Sequence, residues 1–365
     1  MEAVLFVVGF GLLVLGAELL VRGAARLAAA IGLSPLVVGL TVVAFGTSAP
    51  EVAITVQSVF ASRPDLALGN VIGSNIANVL LILGLSALAA PLIVHQRLVR
   101  WDVPLVIGVS GLVWLLSLNG VISRWEGAAL LLGGIGYTVW TIQQSRAETR
   151  DIEAEYGREY GAGQGRRAIN IGLVLAGLGL LTLGARWLVD GAVAIAQALG
   201  VSELVIGLTI VAIGTSLPEL ATSVVASLRG EHDIAVGNVV GSNLLNLLWV
   251  LGLAASVAPN GLTVSPAALN FDIPVMMAVA LACLPIFLHG NMIARWEGGL
   301  FFGYYLAYLT YLILAAAQHE TLPAFSAAML WFVIPLTAVT LVVLLARAAH
   351  AGRRKVVRPQ DKTAQ

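Results

Sequence analysis

The sequence predicts an all-α polytopic membrane protein with two inverted repeats of five transmembrane helices and one extra C-terminal transmembrane helix. Three observations lead to this prediction. Hydrophobic residues make up 59% of the chain and charged residues only 11%, a balance far from that of a soluble domain. Eleven apolar runs are about 20 residues long, the length a helix needs to cross roughly 30 Å of hydrocarbon. Two polar motifs each recur once at the same offset, which indicates an internal repeat.

The eleven predicted spans fall into two sets of five, followed by one more. They cover residues 4–27, 36–60, 70–93, 103–119, 125–143, 169–189, 204–228, 237–258, 272–289, 297–317 and 325–347. The first run lacks a basic leading region and carries Glu18 and Arg22, so we interpret it as a transmembrane helix rather than a signal peptide. The predicted units are a first repeat at 1–143, a cytoplasmic linker at 144–168, a second repeat at 169–317, and the extra helix with a basic tail at 318–365.

The positions of arginine and lysine predict the orientation of the chain, because cytoplasmic loops carry an excess of both. Most of the arginines in the first half fall on one side if the amino terminus lies outside the cell membrane. The linker 144–168 and the tail after Arg347 are then cytoplasmic, and the second repeat begins on the side opposite to the first. The loops near 258–270 and 318–324, which contain no Arg or Lys, then lie outside. This arrangement is the one that an inverted repeat predicts.

The first recurring motif places a carboxylate within an apolar span. It covers Gly46–Glu51 and returns as Gly214–Glu219, identical at five of six positions and offset by 168 residues. One interpretation is a capping box, in which Ser48 or Ser216 opens a helix and the glutamate three residues later bonds back to it. Capping alone does not explain the depth of the motif, since a carboxylate near the bilayer centre costs about 2.5–3.5 kcal/mol. We therefore favour a functional site within a broken helix.

The second recurring motif supplies more side-chain oxygens. It covers Gly69–Asn78 and returns as Gly237–Asn246. Its glycines are interpreted as positions of close helix packing. Ser74 and Asn78 are four residues apart and lie on one face of a helix, and the same spacing holds in the second copy for the pair Ser242 and Asn246.

Together the motifs predict a binding site for a hard cation. The broken helices expose carbonyls around 41–45 and 209–213, which carry partial negative charge. Two carboxylates, the hydroxyls and these carbonyls form an all-oxygen set without His or Cys. Such a set suits Ca2+, and also Na+, better than zinc or copper.

These paired motifs resemble the two α-repeats of the sodium/calcium exchangers, within the cation/Ca2+ exchanger superfamily, and the resemblance covers residues 1 to about 317. It implies a secondary antiporter that exchanges Na+ for Ca2+ by alternating access at sites near the membrane midplane, with the first and sixth spans as the gate. It also implies Ca2+ ligands at Glu51 and Glu219 with the carbonyls of Thr47 and Thr215. It further implies flanking Na+ sites formed by the carbonyls of Ala44 and Ala212 and by the serines Ser48, Ser74, Ser216 and Ser242. Asn78 and Asn246 would line the centre of the binding region.

The sequence departs from related patterns at Asn246, where some branches carry Asp, and in its eleventh span. H+/Ca2+ exchange and K+-dependent Na+/Ca2+ exchange remain open as alternatives, and a cation channel is disfavoured because the halves do not suggest an uninterrupted polar pore. No enzyme activity is expected, because the histidines lie in loops, near span ends or in the tail. The absence of an ATP-binding Gly-x-x-x-x-Gly-Lys motif disfavours a pump. We expect no cofactor and no nucleic-acid partner. The expected partners are the transported Ca2+ and Na+ and the lipid bilayer, and the sequence predicts no oligomeric state.

Two further features that occur in both halves are interpreted as structural. Asp102 and Asp272 each precede a proline by two residues and are predicted to be N-caps of the fourth and ninth helices. The segments 124–127 and 295–298 place an aromatic residue and a charge pair where helices begin near the headgroups.

Overall fold

The computed structural model describes residues 2–156, 164–200, 203–288, 290–340 and 342. Residues 157–163 of the predicted linker and the basic tail lie outside this part of the chain. The first repeat contains α1 (Glu2–Ile31), α2 (Pro35–Val38), α3 (Ala44–Thr47), α4 (Ala49–Phe60), α5 (Pro64–Ala77), α6 (Gly84–Ala89), α7 (Val103–Ser117) and α8 (Arg124–Tyr156). Its π-helical segments are Gly39–Val43, Asn78–Leu83 and Leu98–Asp102.

The second repeat follows the same order. It contains α9 (Gln164–Ala198), α10 (Glu203–Ile206), α11 (Ala212–Gly214), α12 (Leu217–Leu228), α13 (His232–Leu245), α14 (Leu251–Val257), α15 (Ile273–Leu288) and α16 (Arg295–Ala316). Its π-helical segments are Gly207–Val211, Asn246–Val250 and Ala268–Asp272. The extra helix begins with α17 (Leu322–Ala328) and continues through the π-helical segment Met329–Val333.

The chain is a multi-pass membrane protein. Within the described residues, eight helices are long and apolar enough to cross a membrane, or nine if the bent pair Pro35–Thr47 and Ala49–Phe60 is one span. The predicted spans 125–143 and 204–228 are largely helical, as α8 and as the broken run from α10 to α12. Neither is among the eight or nine, so the count of eleven stays a prediction. Helix α8 also continues to Tyr156, so part of the predicted linker extends the fifth helix of the first repeat.

Helices α1 and α9, the first of each repeat, pack closely and run antiparallel. Glycines allow this approach: a Cβ atom on Gly16 would lie 2.7 Å from the backbone nitrogen of Leu181, and one on Gly184 would lie 2.6 Å from that of Leu13. Higher residue numbers on α1 therefore meet lower numbers on α9. Small residues at such a contact let two helix backbones approach each other in a membrane.

Two short pairs of strands also connect the repeats. Strand β1 (Leu92–Ile93) pairs with β4 (Met292–Ile293), and β2 (Val121–Ile122) pairs with β3 (Leu262–Thr263), both antiparallel. The continuous helical runs Pro64–Ala89 and His232–Val257 form the centre of the bundle. In their most apolar 18-residue stretches, 83% and 94% of the residues are buried. The extra helix lies at the periphery. The second polar motif therefore lies in the most enclosed part of the molecule.

The structure corrects the prediction for the two aspartates. Neither Asp102 nor Asp272 caps a helix with its side chain, because each lies at the end of a π-helical segment that runs on into α7 or α15. Asp102 instead accepts a hydrogen bond from the Tyr137 hydroxyl at 2.8 Å, and Asp272 accepts one from Tyr308 at 3.1 Å. The predicted helix starts in the segments 124–127 and 295–298 are confirmed, since helices begin at Arg124 and Arg295.

Candidate cation site

The first polar motif forms a helix break in both repeats. The helix axis bends by 45° between Pro35–Thr47 and Ala49–Phe60. Ser48 has φ −82° and ψ 8°, and Ser216 has φ −90° and ψ 7°, a conformation between the helical and extended regions in which many functional residues occur. Neither serine side chain bonds to the start of the helix that follows it. The capping-box interpretation is therefore wrong, and the two hydroxyls are available for other partners.

Each of these serines bonds to the glutamate of the other repeat. The Ser48 hydroxyl donates to Glu219 Oε1 at 2.8 Å, and the Ser216 hydroxyl donates to Glu51 Oε1 at 3.2 Å. All four side chains are buried. Since hydrogen bonds to charged groups are worth about 1.5–3 kcal/mol, this reciprocal pair joins the two motifs at a single site.

The serines of the second motif extend the same network. Ser48 Oγ lies 3.1 Å from Ser242 Oγ, and Ser216 Oγ lies 3.4 Å from Ser74 Oγ. The Ser48 and Ser216 hydroxyls thus each meet the central helix of the opposite repeat. Six predicted residues are joined directly in this way: Ser48, Glu51, Ser74, Ser216, Glu219 and Ser242.

Several buried oxygens at this site lack a hydrogen-bond partner. They are Glu51 Oε2, Glu219 Oε2, Thr215 Oγ1, Asn78 Oδ1 and Asn246 Oδ1. A buried polar atom without a partner costs about 1–3 kcal/mol, so native structures rarely leave a group of them unsatisfied. Carboxylate and amide oxygens accept but do not donate hydrogen bonds. A cation with oxygen ligands would satisfy the carboxylate and amide oxygens of this group.

The paired asparagines lie one helical turn after the serines of the second motif. The Asn78 side-chain amide donates from Nδ2 to Asn243 Oδ1 of the other repeat at 2.9 Å. The side-chain oxygen of Asn78, Oδ1, remains available. Asn78 and Asn246 each begin a π-helical segment. Single π turns occur often at functional sites because the extra residue disturbs the regular backbone bonding. No pattern in the sequence predicted these π-helical segments.

The predicted carbonyl ligands lie beside other π-helical segments. Gly39–Val43 ends directly before Ala44, and Gly207–Val211 ends directly before Ala212. The Ala44 carbonyl accepts the Ser48 N–H at 2.9 Å. In the second copy the Ser216 N–H bonds instead to the carbonyl of Ile213 at 3.0 Å, so the two breaks are similar but not identical.

Two asparagines that were not among the predicted site residues hold the backbone of the site. The Asn70 amide donates to the Glu51 carbonyl at 3.3 Å, and the Asn238 amide donates to the Glu219 carbonyl at 3.3 Å. Asn238 also accepts a hydrogen bond from the Thr47 hydroxyl at 3.1 Å, which attaches Thr47 to the network. The available signal was the repeated Gly-Asn-Val at the start of the second motif.

The site differs from metal sites that are built from a cluster of His, Cys, Asp and Glu side chains. Within the described residues there is no group of three or more His, Cys, Asp or Glu side chains that could hold a metal ion. The two carboxylates act instead with hydroxyl, amide and carbonyl oxygens. Hard cations such as Ca2+ and Na+ prefer such ligands.

An ion pair connects α1 to the far end of the helix that carries Glu219. Arg229, at the end of α12, places Nη2 2.6 Å from Glu18 Oε1 and donates from Nε to Glu18 Oε2 at 3.0 Å. Glu18 also pairs with Arg22 on its own helix. In α9, Arg186 pairs with Asp190 of the same helix, at 3.9 Å. The position equivalent to Arg229 in the first repeat is Ala61, so this link has no counterpart there.

Comparison with known proteins identifies similar chains. The family model described as sodium/calcium exchanger protein matches residues 1–143 and 169–314. The putative antiporter CaxA of Alkalimonas amylolytica is 40% identical over 287 residues, which cover 78% of this chain and 89% of CaxA. The sodium/calcium exchanger MaX1 of Methanosarcina acetivorans is 31% identical, with 84% and 97% covered. The structure of the sodium/calcium exchanger from Methanococcus jannaschii is similar, with TM-score 0.73, 31% identity, and 85% and 97% covered.

Proposed function

Because the chain belongs to the sodium/calcium exchanger family, we propose that it exchanges Na+ for Ca2+ by alternating access, with the ions bound between the repeats near the membrane midplane. Membership in the family makes the chain a cation/Ca2+ antiporter. The identity of the counter-ion and the transport cycle belong to our proposal.

One observation carries this proposal. The buried carboxylates Glu51 and Glu219 are each held by a serine of the other repeat, and each has a second oxygen without a partner. The charge of these two carboxylates, minus two when both are ionised, equals in magnitude that of one Ca2+. In the proposal, both carboxylates bind Ca2+ together with the carbonyls of Thr47 and Thr215. The flanking Na+ ligands are Ser48, Ser74, Ser216, Ser242 and the carbonyls of Ala44 and Ala212, with Asn78 and Asn246 at the centre.

The antiparallel pair α1 and α9 is the proposed moving element. These helices contact each other through glycines, and their most apolar windows are only 33% buried, so much of their surface faces away from the bundle. Antiparallel packing of the first helices of two repeats is what inverted topology produces. This geometry supports a gate that opens the site to one face of the membrane and then to the other.

The proposed orientation can be tested by cysteine labelling. In a Cys283→Ala background, cysteines placed in 144–168 should react with a membrane-impermeant thiol reagent only from the cytoplasmic side. Asn119→Cys, in the turn between α7 and β2, should react only from outside. The reason is the excess of arginine in the linker. Labelling of the linker from outside would overturn the orientation.

The counter-ion is tested by calcium uptake into vesicles with imposed Na+, H+ or K+ gradients. We expect saturable uptake that requires Na+ on the opposite side and no strict requirement for K+. With Asn78 and Asn246 both neutral, one Ca2+ balances the two carboxylates, and an additional monovalent cation would leave a buried positive charge, which is costly. Uptake driven only by H+, or only in the presence of K+, would contradict this assignment, and flux without a counter-ion would indicate a channel.

The variant Asn246→Asp tests the charge argument directly. A third carboxylate would leave the Ca2+-bound site one charge negative, so a monovalent cation should then be favoured together with Ca2+. We expect the cation requirement of uptake to change in this variant. Asn119→Asp, which adds the same charge in an exposed turn, is the matched control and should leave the requirement unaltered. An unaltered requirement in Asn246→Asp would argue against the charge balance.

A further inference from the structure

An apolar cavity of about 500 Å³ lies between the extra C-terminal helix and the second repeat. Its walls are formed by α15, α16, α17 and the segments around them. Aliphatic side chains and six aromatic side chains line it, the aromatic ones being Phe271, Phe301, Tyr304, Tyr308, Tyr311 and Phe325. No Asp, Glu, Lys or Arg is among the described residues that line it. Cavities of this size are typical of binding sites for small molecules or lipid chains.

The polar groups in the lining are largely engaged within the protein. The Tyr304 hydroxyl lies 2.5 Å from Thr337 Oγ1 and 3.3 Å from the Val333 carbonyl. Tyr308 donates to Asp272 at 3.1 Å. These hydroxyls are therefore not free to bind a polar ligand. An uncharged lining of this kind is complementary to a hydrocarbon and not to a charged headgroup.

The length of the cavity fits the terminal part of an acyl chain. Along α16 the lining extends from Leu300 to Tyr311. At about 1.5 Å per helical residue this is roughly 16 Å, about half of the roughly 30 Å hydrocarbon core. The lining lies in the middle of α16, which begins at Arg295 and ends at Ala316, so the cavity lies near the bilayer centre, where the terminal parts of acyl chains lie.

The helices that form the walls of the cavity are in contact with the acyl chains of the surrounding membrane. The extra helix has none of its most apolar window buried, and α16 has only 11%, so both face the surroundings of the protein in the membrane. An apolar cavity left empty forfeits the contacts that its lining would otherwise make. The inner end of the cavity reaches Leu80, two residues after Asn78 and in the same π-helical segment.

We propose that this cavity binds one acyl chain of a membrane lipid, which fills the space between the extra helix and the second repeat and contacts the segment that begins at Asn78. The inference is independent of which ion is exchanged for Ca2+. It assigns a role to the extra helix: together with α15 and α16 it forms a lipid-chain site.

The test measures lipid retained by the purified full-length protein, using native mass spectrometry. The protein is stripped of lipid in detergent and exposed to palmitoyl-oleoyl phosphatidylcholine, palmitoyl-oleoyl phosphatidylglycerol or dihexanoyl phosphatidylcholine. We expect both long-chain lipids to bind alike and the short-chain lipid to bind at least about tenfold more weakly, because the apolar contact scales with chain length. Binding that follows the headgroup and not the chain would overturn the proposal.

Variants locate the bound chain. Ala307→Phe fills the cavity from α16, and Ala338→Phe fills it from the extra helix. Each should lower long-chain lipid retention by about tenfold, while Leu306→Phe, at a neighbouring exposed position outside the lining, should not. Unchanged retention in both filling variants would overturn the proposal. Loss of a protein dimer in these variants would assign the cavity to a second copy of the chain and would also overturn it.

Discussion

Calcium uptake should fall by at least about a hundredfold in Glu51→Gln and in Glu219→Gln, because each substitution removes one of the two charges that replace the hydration shell of the ion. Loss of one partner from a buried charged pair typically costs 2–5 kcal/mol or more, where about 1.4 kcal/mol is tenfold. Glutamine keeps the size of the side chain and an oxygen that can accept from Ser216 or Ser48. We therefore expect folding to be retained. Calcium uptake into vesicles and thermal unfolding of the purified variants measure the two effects.

The matched control is Asp65→Asn, which neutralises an exposed acidic side chain in the first turn of α5. This control should transport like the parent, since Asp65 lies outside the hydrogen-bonded network. Retained calcium uptake in either glutamate variant would remove that carboxylate from the proposed site. Loss of folding in a variant would assign its glutamate a structural role instead.

Replacement of Gly16 by valine should be among the most destabilising changes outside the ion site. A Cβ at this position would lie 2.7 Å from the Leu181 nitrogen and 2.9 Å from the Gly177 carbonyl oxygen. Backbone atoms cannot rotate away as a flexible side chain can, so α1 and α9 would have to separate. We expect a loss of about 3 kcal/mol or more, at the upper end of overpacking costs, measured as a lower thermal unfolding temperature and as reduced transport.

Gly11→Val provides the control for this prediction. Gly11 lies on the same helix, and a Cβ there would meet nothing within 4 Å. Both variants add the same β-branched side chain to α1, so their difference reports the contact with α9 alone. Equal stability of Gly16→Val and Gly11→Val would mean that the close approach of the two helices contributes little.

The sequence identified the segments that meet in the hydrogen-bonded network, because their signals are local. A carboxylate, a proline and a serine within an apolar run are visible without a structure, and their recurrence identifies both halves. The separation of four residues between Ser74 and Asn78 likewise predicted a shared helix face, and both residues lie on one continuous helical run. Family resemblance then added roles that spacing alone does not supply.

The connections between the halves were not predictable in the same way. Ser48 bonds to a glutamate 171 residues away, and no local pattern distinguishes that partner from the glutamate three residues along the chain. The capping-box interpretation satisfied every local rule and was still wrong, since tertiary contacts decided which acceptor the serine uses. The π-helical segments were missed because they result from one extra residue in a turn and have no composition of their own.

The ion pair between Glu18 and Arg229 makes the two repeats unequal. In the proposed alternating-access cycle, two identical halves would give inward-facing and outward-facing states that are related by a two-fold rotation and have equal energies. A charged link on one repeat, with Ala61 at the matching position of the other, removes that equality. The two states of the proposed cycle then differ in energy, so one of them is more populated even where the ion gradients favour neither direction.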